Sequence, residues 1–316
     1  MAVRSVLVTG CAGFIGSTLT EELLSQGYHV IGVDALTENY EAWVKEKNMS
    51  NVVNHPLFQY IESDLRLLNL SELLQNVDVV FHQAAMPGVR SSWGADFQQY
   101  VNHNVSVTQK LLEAVKESRV QKIIYASSSS IYGSMVGPTK ETQTPAPYSP
   151  YGVTKLAAEH LCQLYFHNYR VPVVSLRYFT VYGPRQRPDM AFHRFIHNML
   201  TDKPITVYGD GQQTRDYTYI RDAVQANLLA MEKGRPGQVY NIGGSSRTSL
   251  NQVIEWLGEI MNKRPQVINA AKQPGDPQHT WANIDKAGQE LGYNPAFPLK
   301  LGLHKQVEYI QALYGH

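Results

Sequence analysis

A chain of 316 residues, 43% hydrophobic and 17% charged with a net charge of +1, is long enough to bury a large core and has no basic excess to neutralise a nucleic-acid backbone, so nucleic acid is excluded as the expected partner. No stretch approaches the ~18 consecutive apolar residues of a membrane-spanning helix, and the two cysteines, Cys11 and Cys162, offer neither a disulfide framework nor a metal site. The first residues run straight into a strand-like segment without a charged, apolar leader, so the expectation is a cytoplasmic protein with no membrane partner and no metal.

In chain order, Val6-Leu7-Val8-Thr9 reads as a strand, Gly10-Cys11-Ala12-Gly13-Phe14-Ile15-Gly16 as a tight loop and the Leu19, Leu23, Leu24 pattern as a helix. Strand, glycine loop and helix in this order permit a close approach of backbone to a pyrophosphate, with helix N–H groups and dipole aimed at the anion. The next strand, His29 to Val33, ends in Asp34. A carboxylate there accepts from both adenosine ribose hydroxyls and repels a 2′-phosphate; Ala35-Leu36-Thr37 adds no arginine, so NAD is favoured over NADP. A strand Phe58 to Glu62, a helix Leu68 to Leu74 and a strand Val77 to Phe81 continue the alternation, which implies a parallel sheet with helices on both faces. Asp64 has the position to hold an adenine amino group, and Ala84-Ala85 are small enough to let a cofactor pass; each also reads as a turn residue.

A helix is predicted from Asn102 to Ser118, with Asn104 near its start as an orienting group or a cap. Strand Lys122 to Ser127 delivers the run Ser127-Ser128-Ser129-Ser130 to the sheet edge where ligands bind in doubly wound folds. In a helix over residues 151 to 169, Tyr151 and Lys155 fall on one face a turn apart. A phenol has an ordinary pKa of about 10, so a neighbouring ammonium is needed to make phenolate accessible, and Ser128 extends the pair into a proton relay. After the strand Val173 to Thr180 the alternation becomes less regular. Residues 1–180 are therefore expected to form a Rossmann domain, and 181–316 a smaller, mainly substrate-binding α/β lobe, with the chain free to cross between them. Arg187 and Arg215 stand out as guanidinium forks suited to phosphate or carboxylate.

These motifs together resemble the extended short-chain dehydrogenase/reductase family, in its nucleotide-sugar 4-epimerase branch, and are most similar to UDP-glucuronate 4-epimerases. The resemblance spans the glycine loop, Asp34, Ala84-Ala85, the serine strand with Tyr132-Gly133, Tyr151 to Lys155, Arg177 to Met190, and Gly209-Asp210-Gly211 with Arg215-Asp216. It implies NAD held by Gly10, Gly13, Phe14, Ile15, Gly16, Asp34, Asp64, Leu65, Ala84, Ala85, Tyr151 and Lys155, with Tyr151, Lys155 and Ser128 catalytic. For the UDP-sugar it implies Arg90, Ser128, Ser129, Thr180, Arg187, Tyr208, Arg215 and Asp276, and it implies a homodimer pairing helices 102–118 and 151–169. Gln273-Pro274-Gly275-Asp276 stands where many relatives have Arg-x-Gly-Asp, and Thr180 where neutral-sugar epimerases often have asparagine. The alternatives are a UDP-glucose or UDP-N-acetylglucosamine 4-epimerase and, behind them, a UDP-glucuronate decarboxylase or a silent NAD sensor. Ser129-Ser130 argues against a dehydratase, which would carry an acidic pair there.

Overall fold

The computed structural model describes residues 4–135 and 137–315. Strand β1 (Ser5–Thr9) sends Val6 and Val8 into one core and Leu7 into another, as a strand covered on both faces requires. The chain then alternates through α1 (Phe14–Ser25), β2 (His29–Asp34), α2 (Ala42–Met49), β3 (Phe58–Glu62), α3 (Leu70–Leu73), β4 (Val79–His82), α4 (Phe97–Tyr100), α5 (Val107–Lys116), β5 (Lys122–Ser128), α6 (Pro150–Tyr169) and β6 (Val173–Tyr178). Shorter pieces follow: β7 (Val181–Tyr182), α7 (Ala191–Leu200), β8 (Ile205–Tyr208), β9 (Thr214–Asp216), β10 (Thr218–Tyr219), α8 (Ile220–Lys233), β11 (Val239–Ile242), β12 (Arg247–Ser249), α9 (Leu250–Met261), β13 (Val267–Ala270), α10 (Asp285–Leu291) and α11 (Leu299–Tyr314).

Strands β1 to β6 and β11 form one seven-stranded sheet in the order β11-β6-β5-β4-β1-β2-β3, with every neighbouring pair parallel. This is the expected doubly wound sheet. The order of connection reverses between β1 and β4, which opens a crevice at their carboxyl ends. Strand β11, which the sequence places beyond residue 180, is the sheet's edge: Val239 lies opposite Ser175 and Ile242 opposite Tyr178. Helix α8 returns with it and packs on α1. The remaining strands make three two-stranded sheets, β10 with β7, β12 with β9 and β13 with β8.

Two helical segments differ from expectation in ways that shape the site. The single helix expected over 102–118 starts earlier, at Phe97, and passes through a π-helical turn, Val101–Ser106, before α5 begins. Such a turn inserts a residue into the helical ladder. Asn104 lies inside it, so it is not a cap. Its amide instead bridges the chain after β4 to α6: Oδ1 accepts from Met86 N at 2.7 Å, and Nδ2 donates to Met86 O at 3.1 Å and to Thr154 Oγ1 at 3.0 Å. Helix α6 starts where Ser149 accepts from Gly152 N at 3.1 Å with Pro150 in the first turn, a favourable pairing of cap and proline. That start puts Tyr151 in the first turn, at the mouth of the crevice.

Candidate active site

The glycine loop is built for contact. Gly10 has φ +70°, and a Cβ there would sit 2.9 Å from the Cα and N of Ala84, at the end of β4; at Gly16 it would sit 2.0 Å from Gly10 O. Any side chain at either position would break the packing of loop on strand or helix on loop. Asp34, at the end of β2, accepts from Ala12 N at 3.0 Å and Leu36 N at 2.9 Å, so its carboxylate is fixed beside the loop. From α2, which the sequence reading did not anticipate, Asn48 donates to Ala12 O at 3.1 Å.

One cleft is lined by Gly10, Gly13, Phe14, Ile15, Gly16, Asp34, Asp64, Leu65, Ala84, Ala85, Tyr151 and Lys155 together, so the twelve residues expected around a dinucleotide are brought to one place. The fit to NAD rests on the cradle that a Cβ would fill and on Asp34. Lys45, a buried cation that also lines the cleft, does not alter this, because its ammonium donates to Thr37 O at 2.5 Å, Thr37 Oγ1 at 3.2 Å and Asn39 Oδ1 at 3.0 Å. Those bonds use its three protons, leaving none for a 2′-phosphate. Denaturing the purified protein and identifying the released dinucleotide is expected to give NAD(H); mainly NADP(H) would contradict the fit. Asp64 is paired by Arg66, at 2.7 Å from Nη2, a partner the sequence reading did not assign.

At the other end of the cleft, the Ser128 side chain acts on the Tyr151 phenol as a hydrogen-bonding group, which follows directly from β5 delivering the serines to the sheet edge. Burial raises the Tyr151 pKa, while the Ser128 hydrogen bond and the Arg187 guanidinium lower it. Lys155 is buried, with its ammonium 4.6 Å over the Tyr125 ring. Desolvation pulls it down to about 8, with Cys162 and Glu159 holding it up. Arg187, which lines the same cleft as Lys155, is a cation acting on the phenol that the sequence pattern did not single out for that role. Ser129 opens a short 3-10 turn whose start is capped by Ser128 Oγ accepting from Ser130 N at 3.1 Å. Thr180 is half-buried in the link from β6 to β7, and its carbonyl accepts from Thr218 N at 2.9 Å.

Arg90, Tyr208, Arg215 and Asp276 form a second cluster. Arg90 Nη2 lies 2.6 Å from Asp276 Oδ2, and its guanidinium stacks 4.1 Å over the Tyr208 ring. Arg215 feels both Asp276 and Arg90 and donates to Thr214 O at 2.9 Å and Gln278 O at 3.3 Å. The chain after β4 joins the clusters, since Met86 and Pro87 line the cleft and Arg90 follows three residues on. Among the described residues the Gln273 side chain donates to Ala271 O, at 3.3 Å.

Several groups escaped the sequence reading. Glu159, fully buried one turn beyond Lys155, pairs with Arg177 at 2.5 Å and accepts from Ser127 Oγ at 2.5 Å. Arg177 also donates to Tyr132 OH at 2.5 Å, tying β5, β6 and α6 together next to Ser128. The i, i+4 step from Lys155 to Glu159 was the available signal. His82 is buried between Thr9 Oγ1 at 2.8 Å and Thr108 Oγ1 at 3.1 Å; burial and the Lys155 charge push it down to about 3, so it stays neutral.

Comparison with known proteins agrees with this geometry. A family described as the NAD dependent epimerase/dehydratase family matches residues 6–243. An uncharacterised UDP-glucose epimerase of Bacillus subtilis is 47% identical over 313 residues, covering 98% of each chain. A UDP-glucuronate 4-epimerase of Thermodesulfobacterium geofontis is 36% identical, covering 96% of this chain and 95% of that one. A UDP-glucuronic acid 4-epimerase from Bacillus cereus, solved with UDP-glucuronic acid and NAD, superimposes with a TM-score of 0.97 at 49% identity, over 98% of this chain and 100% of that one. With the family matching three quarters of its length and such relatives spanning nearly all of it, the chain belongs to the NAD dependent epimerase/dehydratase family.

Proposed function

We propose that the protein is a UDP-glucuronate 4-epimerase, converting UDP-glucuronate to UDP-galacturonate with resident NAD. The observation that carries this reading is a guanidinium, Arg187, lining the cofactor cleft within electrostatic reach of the Tyr151 phenol. A neutral hexose has no use for that fork; a sugar whose C5 bears a carboxylate does.

NAD, when bound, accepts a hydride from the sugar C4 and returns it to the other face. Tyr151 takes the proton of the 4-hydroxyl and later gives it back, with the Ser128 hydroxyl bridging phenol and sugar oxygen. Lys155, which lines the cleft, would hold the cofactor's nicotinamide ribose. Between the two transfers the 4-keto sugar turns about its bond to the diphosphate. Arg215 and Arg90 hold the diphosphate, Tyr208 lies beside the uracil and Asp276 near the ribose, so the nucleotide stays fixed while the sugar rotates. Arg187 and the Thr180 hydroxyl grip the carboxylate, and Ser129 helps seat the sugar. In this reading residues 1–180, joined by α8 and β11, hold the cofactor, and the rest of 181–316 holds the nucleotide sugar.

We place the enzyme in the cytoplasm as a homodimer. No helix among the described residues is long and apolar enough to cross a membrane. Helix α6 exposes two large apolar side chains on one face, Val153 at 47% and Leu164 at 53% exposure, on a helix that packs against α4 and α5; a second copy would cover them.

The test is to offer UDP-glucuronate, UDP-glucose and UDP-N-acetylglucosamine to the purified protein without added cofactor and to identify products by NMR. Turnover mainly of UDP-glucuronate supports the reading. Preferred turnover of UDP-glucose, the substrate named for the Bacillus subtilis relative, replaces it with the neutral-sugar alternative.

A further inference from the structure

Arg187 has only part of its fork engaged. Nε and Nη2 donate to Asp189 Oδ1 and Oδ2 at 2.9 Å each, a side-on bidentate pair that fixes the guanidinium plane. The end-on edge, Nη1 with the second Nη2 proton, has no hydrogen-bond partner among the described residues. Asp189 is itself held by the local chain. Met190 N donates to Arg187 O at 3.1 Å, closing a turn with Pro188 in the position where its fixed φ favours one, and α7 starts immediately afterwards at Ala191.

The pair is also oriented. The Asp189 side chain is 47% exposed and that of Arg187 only 19%, so the carboxylate is on the solvent side and the guanidinium on the cleft side. Arg187 acts on the phenols of Tyr151, Tyr40 and Tyr100, and Asp189 only on the last two, where its effect is the smaller. The guanidinium therefore stands between Asp189 and the reacting end of the cleft.

We propose that Asp189 is a positioning residue that locks Arg187 side-on, so that the free end-on edge holds the sugar carboxylate in one plane and suppresses its loss. The proposal rests on the carboxylate role given to Arg187 above. In the 4-keto sugar, a C5–C6 bond that turns perpendicular to the C4 carbonyl plane can break: its electron pair forms the C4–C5 enolate, CO₂ leaves, and C5 takes a proton to give a 4-keto-pentose. A guanidinium free to swing follows the carboxylate into that geometry. One locked by Asp189 does not.

The test uses the holoenzyme with Asp189→Asn, Asp189→Ala and, as the conservative control, Asp189→Glu. The first two are expected to raise KM for UDP-glucuronate by about tenfold, the loss of a charge-assisted contact, to leave Kd for UDP unchanged, and to raise the fraction of pentose and 4-keto-pentose seen by NMR, with Asp189→Glu partly restoring both. A lower KM would mean that Asp189 competes with the substrate for the fork and would overturn the proposal. So would an unchanged product ratio, or an equal loss of UDP binding, which would mark an ordinary structural residue. Arg187→Ala measured alongside separates the two levels: if it gives pentose and Asp189→Asn does not, only the Asp189 inference fails, and if neither does, the carboxylate reading fails with it.

Discussion

Tyr151→Phe is expected to lower kcat at least ~100-fold, the lower end of what a general acid–base group contributes, while the purified variant keeps its full complement of NAD. The substitution removes one oxygen, and with it the atom proposed to exchange a proton with the sugar 4-hydroxyl. Ser128, whose side chain acts on that oxygen, bonds no carboxylate or imidazole among the described residues and is not expected to take over. The cofactor cradle, from Gly10 to Asp34, lies at the other end of the cleft and is untouched. Cofactor content measured on the same preparation separates lost chemistry from lost binding. Retention of more than roughly a tenth of wild-type activity would reject Tyr151 as the principal acid and base.

Arg187→Ala is expected to cost nearly as much, but in a different currency of measurement: kcat/KM for UDP-glucuronate should fall by ~100-fold, as for loss of a bidentate charged contact, with UDP affinity nearly intact. Part of the loss should also appear in kcat. Arg187 is the cation that pulls the Tyr151 pKa down against burial, so without it the phenolate is harder to reach, and the rising limb of the pH–rate profile should move to higher pH. The third signature is chemical. Unrestrained, the carboxylate of the 4-keto sugar can leave as CO₂, so the ratio of pentose to hexuronate product should rise. An equal loss of UDP and UDP-glucuronate affinity without pentose would instead put Arg187 on the diphosphate.

Much of the cofactor half was legible because its chemistry is local in sequence. Gly10 to Gly16 and Asp34 follow or end two consecutive strands, and the fold only has to bring strand ends side by side; Ala84 was recognisable as a small residue following the next strand, where its backbone meets Gly10. The pairing of Tyr151 with Ser128 was legible for a similar reason, a helix start facing a strand end. What was not legible depends on side chains meeting over long separations. The Arg90–Asp276 pair joins residues 186 apart in sequence, and Tyr132, Glu159, Arg177 and Asn241 converge from four elements. The π-helical turn around Asn104 leaves no mark in apolar periodicity, and β11 reads like any lobe strand until it is seen completing the sheet beside β6. The action of Arg187 on Tyr151 was likewise set by tertiary structure, since Arg187 comes in from the link after β7.

The central claim is that the hydrogen at C4 leaves and returns on the protein's own cofactor. The most direct measurement is turnover of unlabelled UDP-glucuronate in deuterium oxide, without added NAD, with the product analysed by NMR. UDP-galacturonate carrying protium at C4 is expected, because a hydride held on bound NAD would not exchange with solvent. Deuterium at C4 of the product, or no turnover until NAD is supplied in stoichiometric excess, would contradict it.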